Sequence, residues 1–479
     1  MVKPAEIEKS KTKLRILLVK PVRPIEVVLN CIPPLGLGYL ATALRAQGFS
    51  EVDILDCVKE ELSHSAFKKR VKKHNPEVVG FQVFSQDLLS LEKSLAIVKD
   101  LNPKIVTIAG GPHPSGLPEE MLKKFKNLDF VFCGEAEIGL PMLLKSLPNK
   151  QGFSKIPGLG WRNKKGKIII NPQIFVKDLD SLGFPAWDLL QPQTYPNAPQ
   201  GIIFKNLPIA PIMATRGCPF SCTFCAGWTI SGKKIRRRSV NHVLKEIEFL
   251  YKKYGVREIH FLDDNFTLNR DYVEDFCHQL LKKDFKISWC CPNGVRLDTL
   301  NKRLLKLMKK AGCYYVSVGI ESGSDRILGL MKKGTTTQKI KKMAKMVNKA
   351  GMTINGFFIL GYPGETKTEI LQTISFAKRL GLTRAAFYNY LPLPRTESYS
   401  KLLESGELKE EDIGWSQIFQ AYVPYTPMGI SQKELKGLQR RAHLEFYLRP
   451  IILWRLIREI RTFQQLEYIL RRAKAYMLG

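Results

Sequence analysis

The chain of 479 residues carries 75 Lys+Arg against 44 Asp+Glu, a formal charge of +31, with 44% apolar residues, 25% charged residues and 10 cysteines. That composition excludes a disordered, collagenous or disulfide-stapled chain, and at roughly 150 residues per domain it predicts about three domains. No apolar run approaches the ~18 residues of a membrane span, and the polar start (1–13) has no signal-peptide core. A reducing cytoplasm is therefore expected, where cysteines bind metal or catalyse rather than bridge. The positive charge points to anionic company without choosing among nucleic acid, a membrane face and phosphorylated ligands.

Residues 14–150 read as an open α/β sheet. Short continuous runs rich in Val, Ile, Leu and Phe recur at Leu14–Val19, Val52–Leu55, Val78–Phe84, Ile105–Ala109 and Phe130–Cys133, as strands buried on both faces require. Helix-period segments lie between them, so a doubly wound parallel sheet of Rossmann-like form is predicted, with ligands outside the carboxyl ends of its strands. Those ends carry Gln86-Asp87, Gly110-Gly111-Pro112-His113 and Gly134-Glu135-Ala136-Glu137. Any one of these glycines alone is a turn residue; three such ends together predict a ligand face. Gly36-Leu37-Gly38-Tyr39-Leu40-Ala41 matches the dinucleotide pattern G-x-G-x-x-A. That pattern needs its glycines in the turn directly after the first strand, and here a long proline-bearing loop intervenes, which argues against a nicotinamide site.

Residues 151–204, rich in Gly, Pro and Asn, read as a linker with a small hairpin. From 205 to 400 the alternation resumes, with strands predicted at Ile212–Thr215, Glu258–Leu262, Ile287–Cys291, Tyr315–Gly319, Ile354–Leu360 and Ala385–Tyr390. The helices between them end on Gly255, Gly312, Gly351 and Gly381, the residue that best tolerates a left-handed cap. Six β/α repeats make a partial TIM-type (β/α)6 barrel whose chemistry belongs on the loops after its strands.

The first of those loops holds Cys218-Pro219-Phe220-Ser221-Cys222-Thr223-Phe224-Cys225, a C-x3-C-x2-C run. Three thiolates from one compact loop can hold three irons of a [4Fe–4S] cluster, leaving the fourth iron an open position. A zinc site closed by a distant histidine is the rival reading, and three unliganded buried cysteines another.

This spacing after this strand resembles the radical S-adenosylmethionine (SAM) superfamily, over roughly Ile212 to Tyr399. The resemblance implies that Cys218, Cys222 and Cys225 hold the cluster, that its open iron chelates SAM, and that reductive cleavage of SAM releases a deoxyadenosyl radical. It also implies SAM contacts at Phe224, at Asp263 and Asp264 after the second barrel strand, and at Asn293 and Arg296 after the third. Glu321 and Ser322 would contact SAM after the fourth strand, and Gly361 and Pro363 after the fifth. Taken alone, the acidic pair reads equally as solvated strand-end charge. The N-terminal region resembles the cobalamin-binding domains fused ahead of such barrels. That resemblance implies cobalamin contacts at Pro34, Gly36, Gly38, Gln86, Asp87, Gly110, Gly111, Pro112, His113, Gly134, Glu135 and Glu137. The D-x-H-x-x-G motif of other cobalamin proteins is missing, since Asp56-Cys57-Val58-Lys59-Glu60 supplies no histidine. His113 is therefore expected to line the nucleotide-tail pocket rather than ligate cobalt.

Two such cofactors imply methylation of an unactivated carbon in a small-molecule or lipid substrate, with an external electron donor such as flavodoxin or ferredoxin. A ring-forming cyclase acting on a tetrapyrrole, similar to the anaerobic magnesium-protoporphyrin monomethyl ester cyclase, shares the domain order. A tRNA methylthiotransferase would need a second cysteine triad, whereas Cys31, Cys57 and Cys133 are scattered; a cobalamin or metal sensor would need no barrel. Residues 401–479 read as a basic helical region with Arg440, Arg441, Arg449, Arg455, Arg458, Arg461, Arg471 and Arg472 interleaved with Trp454, Ile457 and other apolar residues. Such a helix either packs its apolar stripe on the barrel or lies in a membrane interface at the inner face. Nucleic acid is the weaker partner, because no basic stretch concentrates aromatic residues.

Overall fold

A computed structural model describes residues 13–23, 31–196, 204–415, 423–460 and most of 462–471. The polar tail up to residue 12, Arg461 and Arg472 lie outside the described residues. The chain divides into two compact units between Gln191 and Pro192, with the short segment ending at Pro33 counted in the second.

The first unit is a seven-stranded sheet. Its strands are β1 (Ile16–Lys20), β2 (Val52–Asp56), β3 (Val78–Gln82), β4 (Val106–Gly110), β5 (Phe130–Phe132), β6 (Leu159–Arg162) and β7 (Ile168–Ile170), in the order β2-β1-β3-β4-β5-β6-β7. The first five are parallel and β6 and β7 antiparallel. All five strands read from the sequence are present. β1 lies between β2 and β3, so successive crossovers leave it in opposite directions, the switch point where such sheets bind ligands. Helix α1 (Leu35–Ala46) buries Leu37, Ala41 and Leu44 against Ile16 and Leu18, its apolar face at helical spacing meeting the all-apolar strand.

Most of the segment expected over 151–204 as a linker with a small hairpin belongs to the first unit. The hairpin β6–β7 extends the sheet, and Ile156, Leu159, Trp161 and Ala186 are buried in the same cluster as β1 and α1. The expected small hairpin is present; that it joins the sheet is not marked in the sequence, where its strands are only four and three residues long.

The second unit is a six-stranded parallel sheet built from β8 (Ile209–Ile212), β9 (Glu258–Phe261), β10 (Ser288–Val295), β11 (Cys313–Glu321), β12 (Thr353–Leu360) and β13 (Arg384–Asn389), in sequential order. Sequential order and parallel pairing give the partial barrel. β8 starts three residues before the predicted strand, and Thr215–Arg216 instead pairs antiparallel with Arg236–Arg237. Side chains of Ser239, Asn269, Asn301, Thr336 and Thr366 cap five of the intervening helices by accepting a backbone N–H. The four glycines read as helix stops all have φ between 66° and 99°. Under the barrel wall Phe261, Phe266, Phe276 and Trp289 pack face and edge. Helix α2 (Gln432–Tyr447) then buries Leu435, Leu438, Ala442 and Phe446, with its Tyr447 hydroxyl donating to the Ala385 carbonyl of β13 at 2.8 Å. Helix α3 (Pro450–Glu459) buries Ile452 alone. Among the described residues no helix is long and apolar enough to cross a membrane.

Candidate active site

Of the ten cysteines, seven are buried; Cys218 and Cys222 are half-buried and Cys225 is exposed. The trio therefore opens to one side of its loop. Thr215–Arg216 and Arg236–Arg237 close the loop at its base. Gly217 begins it at φ +90°, where a Cβ would stand 2.5 Å from the Lys234 carbonyl oxygen, so only glycine lets the chain turn there. The Cys218 N–H donates to the Gly232 carbonyl at 3.3 Å, and Cys225 donates to the Cys222 carbonyl at 3.1 Å. Thr223, between two thiols, is the anchor. Its N–H donates to the Met331 carbonyl at 3.1 Å, its hydroxyl meets the Tyr362 hydroxyl at 2.6 Å, and its carbonyl accepts from the Ser398 hydroxyl at 2.8 Å. The protein packed behind Cys225, then Cys222 and Asp264, push its pKa up to about 11. Three clustered thiolates thus form only against a compensating cation, the donor set of an iron–sulfur cluster. Pairing by disulfide is absent: all three thiols are free.

The other strand ends divide into groups turned toward the cluster loop and groups occupied by the protein. Asp263 is buried, and its two carboxylate oxygens accept the N–H groups of Ala214 at 3.2 Å and Thr215 at 2.5 Å; burial lifts its pKa to about 7. It fastens the segment leading to the thiols. Asp264 is exposed, its Oδ1 lying near Gly227 next to Cys225. Asn293 is exposed, with its amide donating to the Leu262 carbonyl at 2.8 Å. Arg296 commits its Nε and Nη2 to Asp298 at 3.0 and 2.7 Å, and its face lies 3.7 Å from the Phe220 ring centroid. It braces the cluster loop, with Nη1 remaining for a ligand carboxylate.

Glu321 takes φ +66° and pairs at 2.6 Å with Lys333, both buried. Its carboxylate thus has a buried partner within the chain. Ser322 is fully buried against Thr373 and the Ser324 N–H. Gly361 (φ +74°) presents its Cα to Leu435 of α2, where a Cβ would stand 2.6 Å away, so its smallness serves packing. Its N–H donates to Glu365, whose burial raises that carboxyl to about 8. Pro363 and Phe224 are half-buried, Phe224 within 5.8 Å of the Lys333 ammonium. Burial pulls the Lys333 pKa down, but Glu321 and Cys222 outweigh it and leave it raised, so a charged ammonium lies beside the thiols. Sequence reasoning missed Lys333 and Thr223. One buried lysine within Lys332-Lys333-Gly334 has no local mark, and Thr223 was passed over between two louder cysteines.

In the first unit, the predicted ligand residues gather at the carboxyl ends of β1, β3, β4 and β5. Pro34 caps α1, and exposed Gly36 in its first turn leaves the Gln82 amide of β3 open, 3.4 Å from where a Cβ would be. At Gly38, Leu190 and Pro185 fill the Cβ direction at 2.7 and 2.9 Å. Asp87 is fully buried with its oxygens on Arg23 at 2.6 and 3.1 Å and on the Phe84 N–H at 2.9 Å. Half-buried Gln86 flanks the same arginine at 3.0 Å. Gly110, Gly111 and Pro112 are half-buried; Gly111, at φ +105°, lies tight on the Val83 backbone. His113 is buried with Nδ1 2.9 Å from the Ser85 hydroxyl, and burial, with Lys124 adding, lowers its pKa to about 4. Ser115 ties two ends together, donating to the Gly111 carbonyl at 2.7 Å and accepting the Gly134 N–H at 2.9 Å. Glu135 accepts the Val176 N–H at 3.1 Å, so one of its oxygens is held by the protein, and Glu137 is buried. Cys31, Cys57 and Cys133 are buried and free.

Residues 212–377 match the radical SAM superfamily, and residues 24–144 match the B12 binding domain. An uncharacterized methyltransferase of Pyrococcus horikoshii is 32% identical over 470 residues, covering 96% of this chain and 97% of the relative. Cytidylyl-2-hydroxyethylphosphonate methyltransferase of Streptomyces wedmorensis is 28% identical over 468 residues, covering 88% and 87%. Among solved structures, the radical SAM methyltransferase TsrM of Kitasatospora setae, with cobalamin and a [4Fe–4S] cluster bound, superposes with a TM-score of 0.67 at 18% identity, covering 82% of this chain and 75% of that one. Thiols, strand-end face and relatives agree: the chain belongs to the radical SAM superfamily, in the branch that carries a B12-binding domain ahead of the barrel.

Proposed function

We propose that this chain is a cobalamin-dependent radical SAM methyltransferase that methylates an unactivated carbon of a small-molecule or lipid substrate in the cytoplasm. The observation that carries it is the trio of accessible thiols on one anchored loop, in a chain whose preceding sheet gathers Gly36, Gly111, Gly134 and His113 at its carboxyl ends. Cys218, Cys222 and Cys225 would hold the cluster, and Phe224, Asp264, Asn293 and Pro363 would face SAM, with Nη1 of Arg296 and the Lys333 ammonium as its cationic neighbours. Pro34, Gly36, Gln86, Gly110, Gly111, Pro112, His113, Gly134 and Glu137 would line the corrinoid. When bound, the cluster, SAM and the corrinoid supply a carbon-centred radical and a transferable methyl group.

The residues present do the rest. Gly217, Thr223 and Asp263 fix the thiols in place, and Arg296 braces Phe220 beneath them. Proximity then counts for much of the rate, since a reacting carbon out of reach is quenched elsewhere. A flavodoxin or ferredoxin would deliver the electron, and the basic C-terminal region would bring the enzyme to an anionic membrane.

After anaerobic reconstitution, Cys222→Ala should lose deoxyadenosine production at least a thousandfold while corrinoid uptake is retained. Unchanged deoxyadenosine in that variant rules the cluster assignment out. SAM labelled in its methyl group separates methylation from ring formation, because only a methyltransferase moves the label into product.

A further inference from the structure

The two C-terminal helices treat their apolar residues in opposite ways. α2 turns its apolar face to the barrel, whereas α3 turns its own outward: Trp454 is 54% exposed, Ile457 67% and Ile451 52%, with Leu453 beside them. At 100° per residue these side chains share one outward arc, and buried Ile452 marks the opposite side. Charge is sorted across the same axis. The acids face inward: Glu459 pairs with Arg384 at 2.5 Å, and Glu445 of α2 with Lys378 and Arg441. Of the bases, exposed Arg458 falls within the apolar arc and half-buried Arg455 just beyond its edge. Arg458 stacks on the Trp454 ring at 4.4 Å, and among the described residues neither Arg455 nor Arg458 is paired with a carboxylate.

An apolar arc rimmed by uncompensated arginines fits one environment. A second copy of this chain meeting it about a two-fold axis would bring arginine against arginine. Nucleic acid would neutralise the arginines and leave Ile451, Leu453 and Ile457 in water. An anionic bilayer satisfies both, with the aliphatic residues among acyl chains, the indole at the headgroup boundary and the guanidinium groups on lipid phosphates. Ten residues give a helix about 15 Å long, which can lie in the interface but not span it.

We propose that the outward arc of α3, centred on Trp454 and Ile457, docks this enzyme on an anionic lipid surface. This rests on the membrane contact proposed above and names the residues that make it. The test uses the full chain, sedimented with vesicles of phosphatidylcholine alone or mixed with phosphatidylglycerol. Binding is expected only to the anionic vesicles, falling about tenfold or more in Trp454→Glu/Ile457→Glu and in Arg455→Gln/Arg458→Gln. Brominated acyl chains should quench indole fluorescence in the unaltered chain and lose most of that quenching in Trp454→Phe. Deoxyadenosine production and far-ultraviolet circular dichroism should be unchanged in all of them. Binding that persists in both double variants would place the contact elsewhere on the basic surface and overturn this surface alone. No binding to anionic vesicles even at low salt overturns the membrane reading as well. A dimer seen by light scattering and dissolved by Trp454→Glu/Ile457→Glu would assign the arc to a second copy instead.

Discussion

At the scale of single residues, the site is governed by buried groups that hold others in place. The Glu321–Lys333 pair is the clearest: each charge is removed from water, and each is tolerable only because of the other. Lys333→Met should lower stability by about 3–5 kcal/mol in denaturant melts, because it strands a buried carboxylate. Adding Glu321→Gln should return most of that loss; a double variant no more stable than the single one would disprove the pairing argument. His113 gives a pH dependence of defined direction. Its folded pKa of about 4 lies below the ordinary 6.5, so above pH 6.5 both folded and unfolded chains hold it neutral. As pH falls from 6.5 toward 4 the unfolded chain takes up a proton that the folded one refuses, and stability drops by an amount on the order of 3 kcal/mol, levelling off below 4. His113→Gln should flatten that part of the stability–pH curve. His443, lowered to about 4 by burial in the barrel unit, gives a separate contribution that the variant leaves in place.

At the scale of elements, the hairpin β6–β7, expected as a small hairpin within a linker, shows how such a segment joins a sheet and its core. Its composition is that of a connection, and its three- and four-residue strands are too short to declare a period. Yet Trp161 is 7% exposed and packs edge-on with Phe153, which in turn meets Phe130 of β5. Trp161→Ala should therefore cost about 3–5 kcal/mol, the usual range for emptying a buried aromatic site. A linker tryptophan would cost almost nothing, so thermal melts of this one variant separate the two descriptions. The barrel strands were legible for another reason: they are mostly apolar runs separated by helices, five of which begin on a capping side chain and four of which are followed by a positive-φ glycine, so local signals agree with the fold.

At the scale of the molecule, two units carry two sets of strand ends, each with its own chemistry. Loading of one should be separable from loading of the other. Gly111→Val, which forces a side chain into a +105° turn pressed on Val83, should abolish corrinoid uptake while iron, sulfide and the charge-transfer absorption of the cluster are kept. Loss of both together would mean that the sheet's strand ends are not an independent site.

What the sequence determined by itself is the set of elements and the chemistry of one loop. Strand runs, caps and the C-x3-C-x2-C spacing are local patterns, and the thiols come to one side because eight consecutive residues place them there. The tertiary structure decided which charged and polar strand-end residues are held by distant parts of the chain. Asp87, Asp263, Glu321 and Ser322 sit in the right motifs, yet their partners come from elsewhere in the chain: Arg23, the Ala214 and Thr215 amides, Lys333, and Thr373. The same holds for the C-terminal helices, whose apolar stripes look alike in one dimension. Burial is a property of what lies opposite a side chain, and only the folded chain specifies that.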